Sequence, residues 1–259
     1  MTASPRARLR VALAGGTRVT GTFVKLPAPD VVELCGLAGF DFVVVDLEHS
    51  ALSEADAIAL VRHADRGGLP ALVRIPAVDA PLICRLLENG AAGLQLSMLC
   101  EAAQARALVR ATRFAPGGAR SVSLANRAAG FGAGGLGAFL ATERDDPPLL
   151  VGQIETPWWR DGRGDPWNEV IAGLDAVFVG GTDLAVSLGA EPGSAGLRAA
   201  VAEIEAAARR HGVAFGGWAP SRTAAGAHGL AAARYLVTGS DVQILAAGLD
   251  AAAGRGGNG

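Results

Sequence analysis

Lysine is almost missing from this 259-residue chain: Lys25 stands alone beside 22 arginines. A sequence with one lysine has a single candidate for Schiff-base chemistry. Cysteine is scarce as well. Cys35, Cys84 and Cys100 are odd in number and unrelated in spacing, which excludes a disulfide framework and reads as idle thiols in a reducing cytosol. No apolar run approaches the roughly 18 residues of a membrane span. The opening stretch carries Arg6, Arg8 and Arg10, but its apolar part is too short for a secretory signal. Basic charge is not in excess either: the formal net charge is −2, so nucleic acid is not a favoured partner. The expectation is a cytoplasmic protein with no membrane partner.

Hydrophobic residues make up 50% of the chain, enough for one large core. Short β-rich runs alternate with longer amphipathic segments, the pattern of a parallel sheet with helical crossovers. The runs are Val19–Leu26, Phe42–Leu47, Ala71–Ile75, Gly93–Leu96, Leu149–Ile154, Ala176–Val179, Val213–Gly217 and Tyr235–Val237. Helical patterns fall at Asp30–Ala38, Glu54–Ala64, Pro81–Leu87, Glu101–Arg113 and Leu197–His211, several closed by a glycine (Gly39, Gly67, Gly212). Eight such strands predict a single closed (β/α)8 barrel over residues 1–250, with a flexible tail at 251–259. An open doubly wound sheet is the alternative, but Leu26-Pro27-Ala28-Pro29 follows the first strand where a phosphate-binding glycine loop would stand. The glycine-rich stretch Gly130–Gly137 has no lysine after it and is no P-loop. It reads as a flexible surface loop, with a lid over the barrel mouth as the functional alternative.

In a barrel, reactive groups come from the C-terminal ends of strands. Four endings carry ionisable residues here: FVVVDL runs into Glu48 and His49, ALVRIP contains Arg74, LVGQIET carries Gln153 and Glu155, and AVFVGGTDL reaches Asp183. Each alone could be an ion pair or a helix cap; four on one rim point to a site. Glu155 and Asp183 offer two hard oxygen ligands for Mg²⁺, Mn²⁺ or Co²⁺, which could chelate a 2-oxo acid. Arg74 would stabilise an enolate oxygen. His49, the one histidine at a strand end, is the candidate base. His63 and His211 read as surface or capping residues, and His228 has no assigned role.

These landmarks resemble the HpcH/HpaI aldolases, the class II pyruvate aldolases. The resemblance rests on AGFDFVVVDLEHS (38–50), LVRIP (72–76), LLENGAAGLQLSM (86–98), RFAPGGARS (113–121), QIET (153–156) and GGTDLAVSLG (180–189), in that order. It implies His49 as general base, Arg74 as enolate stabiliser, and Glu155 and Asp183 as metal ligands. It also implies Gln153 and the backbone around Thr182 as the hold on the pyruvate moiety. The family's aspartate that supports the histidine is Glu88 here. Substrates would be a 2-oxo acid and an aldehyde, and the assembly a homo-oligomer, a hexamer by resemblance, with the last helix packed on a neighbour. The chain departs from the pattern at Ser97, Gly181 and Ser121. The segment after Glu155 is about two residues long in excess and holds Trp158, Trp159 and Trp167, read as packing against an outer helix or as an aromatic wall of the pocket. The implied reaction is cleavage or formation of 4-hydroxy-2-oxo acids through a pyruvate enolate. The alternatives are oxaloacetate decarboxylation with carbon–carbon bond formation, as in macrophomate synthase, and a non-catalytic barrel.

Overall fold

The computed structural model describes residues 3–160 and 165–255. Eight parallel strands close into a barrel in sequence order. Helix α1 (Pro5–Ala14) is followed by β1 (Val19–Val24), α2 (Pro29–Leu37), β2 (Phe42–Asp46), α3 (Glu54–Arg66), β3 (Ala71–Ile75), α4 (Ala80–Glu88), β4 (Gly93–Leu96) and α5 (Ala102–Thr112). Then come α6 (Gly135–Asp145), β5 (Leu149–Ile154), α7 (Trp167–Val170), β6 (Ala176–Val179), α8 (Gly181–Leu188), α9 (Ala195–Arg210), β7 (Ala214–Ala219), β8 (Tyr235–Ser240) and α10 (Asp241–Ala252).

Period two along the strands divides two cores. Val43, Val45, Val73 and Ile75 face outward and meet Ala57, Leu60, Val61 and Ala64 of α3, spaced three and four apart on one helix face. Val19, Phe42, Val44, Leu72, Leu149, Val151 and Tyr235 face inward. Gly21 leaves the space that the Phe42 ring occupies, since a Cβ there would stand 2.4 Å from it. Phe42 then stacks on Tyr235 at 4.5 Å between centroids. Leu9 and Leu13 of α1 join this inner core and plug the N-terminal end of the barrel.

Several boundaries depart from the sequence pattern for visible reasons. β1 stops at Val24 because the N–H groups of Lys25 and Leu26 donate to the Asp241 carboxylate at 2.9–3.0 Å instead of continuing the ladder. After α3 the left-handed residue is Gly68 (φ 72°), and Gly67 remains in the helical region. Gly130–Gly137 is not a lid over the mouth. It forms a 3-10 turn and the start of α6 at the opposite end of the barrel. There Arg127 pairs with Asp65 and the Ala128 N–H donates to the Glu88 carbonyl. Trp159 and Trp167 are buried in the outer core with Trp158 packed on them, so the packing reading holds and the aromatic wall does not. The expected tail from 251 still belongs to α10 at Ala251 and Ala252, and 256–259 lie outside the described residues. Among the described residues no helix is long and apolar enough to cross a membrane.

Candidate active site

The inward-facing positions change character at the C-terminal rim. Registers set Asp46 beside Arg74 and Arg74 beside Gln95, and set Gln153 beside Phe178. Below them the same alternation supplies valine, leucine and aromatic rings. Asp46, Arg74, Gln95, Gln153 and Glu155 are all buried polar groups, so each needs partners.

Asp46 has no solvent exposure and anchors the cluster. Arg74 donates to both its oxygens, from Nε at 2.8 Å and Nη2 at 2.6 Å, a bidentate fork. Lys25 Nζ lies 3.2 Å from Asp46 Oδ2, and the N–H groups of Glu48 and His49 donate to Oδ1 at 3.0 and 3.1 Å. Burial pushes the Asp46 carboxyl up, but the Arg74 hydrogen bond and charge, with the two N–H groups, outweigh it and hold it at about 2. Arg74 is fixed further by Glu48 Oε2, 3.3 Å from Nη1, and by stacking over Phe23 at 4.4 Å. Ser97, a departure noted above, donates to Glu48 Oε2 at 2.5 Å. His49 is 59% exposed and its Nε2 stands 3.7 Å from Glu48, outside hydrogen-bond range.

Glu155 is buried, accepting from Gln153 Nε2 at 2.7 Å and from the Met98 N–H at 2.6 Å. Burial raises its carboxyl, against those two hydrogen bonds and together with the charges of Glu48 and Asp183. Gly180 is required beside it: a Cβ there would lie 2.5 Å from Glu155 Cγ. Thr182 and Asp183 follow in the exposed first turn of α8. A cavity of about 540 Å³ is lined by His49, Arg74, Gln153, Gly181, Thr182 and Asp183, among others. Trp218 and His228 complete its far wall, a place the sequence pattern did not assign to His228.

Glu88 is not part of this arrangement. It ends α4 at the N-terminal end of the barrel, where its carbonyl accepts from Ala128, and within the chain it has no path to His49. A motif read in one dimension does not show that the helix carries its last residue away from the rim. His63 pairs with Glu33 at 2.7 Å and His211 with Asp165 at 3.0 Å, both away from the cavity. Sequence reasoning missed Asp46 as the anchor and Gln95 altogether, although both are polar residues at inward positions of apolar runs.

Among the described residues, no group of three or more histidines, cysteines or acids stands together as a metal cage. Glu155 and Asp183 nevertheless follow consecutive strands, β5 and β6. Asp183 lines the cavity, and Glu155 is bonded to the lining residue Gln153 while standing outside the lining itself; two such hard carboxylates fit a divalent cation that keeps water or substrate oxygens in its other positions.

Comparison with known proteins identifies the family. The family model described as HpcH/HpaI aldolase/citrate lyase matches residues 19–247. A hydroxypyruvate/pyruvate aldolase of Sagittula stellata is 32% identical over 93% of this chain and 94% of its own. A 5-keto-4-deoxy-D-glucarate aldolase of Klebsiella pneumoniae is 31% identical, over 92% of each chain. The crystal structure of an HpcH/HpaI aldolase from Desulfitobacterium hafniense superposes with a TM-score of 0.85 at 28% identity, covering 95% of each chain. Macrophomate synthase shares the fold alone, with a TM-score of 0.80 at 20% identity over 96% of this chain and 88% of that one. The chain belongs to the HpcH/HpaI aldolase/citrate lyase family and is an enzyme of the aldolase and lyase kind.

Proposed function

We propose that the chain is a divalent-metal-dependent aldolase that cleaves or forms 4-hydroxy-2-oxo acids through a pyruvate enolate. The observation that carries this reading is Arg74, clamped by Asp46 and Glu48 and lining one cavity with His49, Gln153, Thr182 and Asp183. The relatives named as aldolases, similar in sequence over more than nine-tenths of the chain, support it over the macrophomate synthase chemistry, whose likeness reaches the fold only.

Glu155 and Asp183 would hold Mg²⁺, Mn²⁺ or Co²⁺, which when bound supplies Lewis-acid polarisation of the 2-oxo group. Gln153 and the N–H groups opening α8 would bind the carboxylate end, the α8 terminus adding its positive dipole. His49, exposed to the cavity, removes the proton of the C4 hydroxyl. The C3–C4 bond then breaks, releasing an aldehyde, and its electrons form the enolate of pyruvate. Arg74 faces the negative oxygen of that enolate, its fork already oriented by Asp46. Proton return to C3 completes cleavage. Lys25 is engaged by Asp46 and by the His49 carbonyl at 3.1 Å, which supports metal over imine chemistry.

Val242, Ile244, Leu245 and Leu249 of α10 are exposed apolar residues, a face that further copies of the chain would cover in a homo-oligomer, a hexamer in this reading. The enzyme would work in the cytoplasm. Chelation tests the central claim: EDTA should abolish turnover and Mg²⁺, Mn²⁺ or Co²⁺ restore it. Full activity in metal-free protein, or a borohydride-trapped pyruvate adduct on Lys25, would overturn it.

A further inference from the structure

Gln95 has no solvent exposure, faces into the barrel and takes part in no step above. It stands in a continuous line of hydrogen bonds. The Tyr235 hydroxyl donates to Gln95 Oε1 at 3.1 Å. Gln95 Nε2 donates to Gln153 Oε1 at 2.6 Å, and Gln153 Nε2 donates to Glu155 Oε1 at 2.7 Å. All four side chains are buried.

The direction of this line follows from chemistry. An amide can be turned over without changing shape, so its partners decide its orientation. Glu155 Oε1 accepts from the amide, so Gln153 presents its NH2 group there. The Gln153 oxygen then faces Gln95 and needs a donor, so Gln95 presents its own NH2 group. The Gln95 oxygen is left facing Tyr235, and a buried phenol donates its proton there. Reversing any member would set two acceptors against each other in a site with little water to relieve them.

We propose that Gln95, with Tyr235 behind it, is a positioning residue that locks the Gln153 amide with its N–H groups toward Glu155 and the cavity. One Gln153 hydrogen is committed to Glu155, and the other is left for an oxygen of the 2-oxo acid. The relay also fixes the Glu155 carboxylate by one oxygen, while Met98 fixes the other. Its consequence for metal and substrate rests on the function proposed above; its orienting role on Gln153 does not.

The experiment uses the full-length protein, metal-free, with Gln95→Leu removing the donor at similar volume and Gln95→Glu replacing it by an acceptor. Two quantities are read: hydrogen exchange of the Gln153 side-chain amide by NMR, and Mn²⁺ affinity by titration. With melting behaviour close to the parent, Gln153 exchange should accelerate in both variants. Mn²⁺ binding should weaken about tenfold, as for loss of other outer partners of metal ligands, and more in Gln95→Glu. A folded Gln95→Leu with parental exchange and parental Mn²⁺ affinity would overturn the proposal. If the parent binds no Mn²⁺ and Glu155→Gln changes nothing, the metal reading fails, and the exchange measurement alone decides the relay. If neither Gln95 variant folds, Tyr235→Phe decides by the exchange readout: faster Gln153 exchange supports the relay and an unchanged rate overturns it.

Discussion

At the N-terminal end of the barrel, Arg6 and Arg120 share Glu143 at 2.9 and 2.5 Å, and Arg10 meets Asp175. At the C-terminal end, Arg74 and Lys25 share Asp46, with Glu48 close by. The residue types match, but the surroundings differ. The first network lies under the α1 plug and holds helices to strand starts, and no part of it lines the 540 Å³ cavity. The second borders that cavity through Arg74, and His49, Gln153 and Asp183, which line the same cavity, keep hydrogen-bonding capacity to spare. At the first end Arg10 Nε and Arg120 Nε and Nη2 are buried without a hydrogen-bond partner; at the second the Arg74 guanidinium is pre-oriented and faces the cavity that His49 and Asp183 also line.

This comparison breaks most sharply by mutation at the holding end. Glu143→Ala leaves Arg120, 1% exposed, without its anion, and leaves Arg6 with Asp146 alone. Losing one partner of a buried pair costs about 3 kcal/mol or more. Chemical denaturation should show that loss, while kcat per folded molecule stays at the parental value. A comparable fall in kcat would contradict the division between the two ends.

At the other end the signs exchange. Arg74→Ala should lower aldol cleavage, oxaloacetate decarboxylation and pyruvate proton exchange together, by about 3 kcal/mol in barrier or roughly a hundredfold. Arg74→Lys should recover part of this, because an ammonium lacks the planar fork that Asp46 holds. Steady-state rates on the three reactions check it. A loss confined to one reaction would remove Arg74 from the enolate.

A smaller effect separates Asp46 from Asp175 by pH. Asp46 ionises at about 2 when folded, below the ordinary value near 4. It therefore adds stability above about pH 4 that disappears as pH falls through 2, worth about 2 kcal/mol. Asp175 is shifted the other way: burial raises its carboxyl against Arg10, the Leu150 N–H and Arg113, so its contribution falls as pH rises through its unfolded value. Urea unfolding between pH 2 and 6 should show a flatter acid limb in Asp46→Asn and a steeper one in Asp175→Asn. The same slope change in both variants would contradict the assignment.

Much of this was legible in the sequence. All eight strands start within one residue of the hydrophobic pattern, because valine-rich runs bounded by turn residues are short and unambiguous. His49, Arg74, Gln153, Thr182 and Asp183 share a cavity because strand ends in a closed barrel converge. What escaped depends on contacts across the barrel. The Tyr235–Gln95 bond joins residues 140 apart, and the helix α1, not predicted from the sequence, is explained only by Leu9 and Leu13 meeting the inner core. Gly130–Gly137 lies on the surface as read, but its lid alternative and the link of Glu88 to His49 within one chain fail for one reason: spacing along the chain does not tell which end of a barrel a segment returns to.

The most direct test of the account is His49→Ala assayed beside the parent on one 4-hydroxy-2-oxo acid and on oxaloacetate. Cleavage needs a base at the C4 hydroxyl, whereas decarboxylation releases carbon dioxide and needs none there. His49 stands exposed at the cavity and outside hydrogen-bond range of Glu48, free to move a proton rather than hold a neighbour. The account predicts that His49→Ala suppresses aldol cleavage far more than decarboxylation. Equal losses in the two reactions would contradict it and shift the search for the base to Glu48.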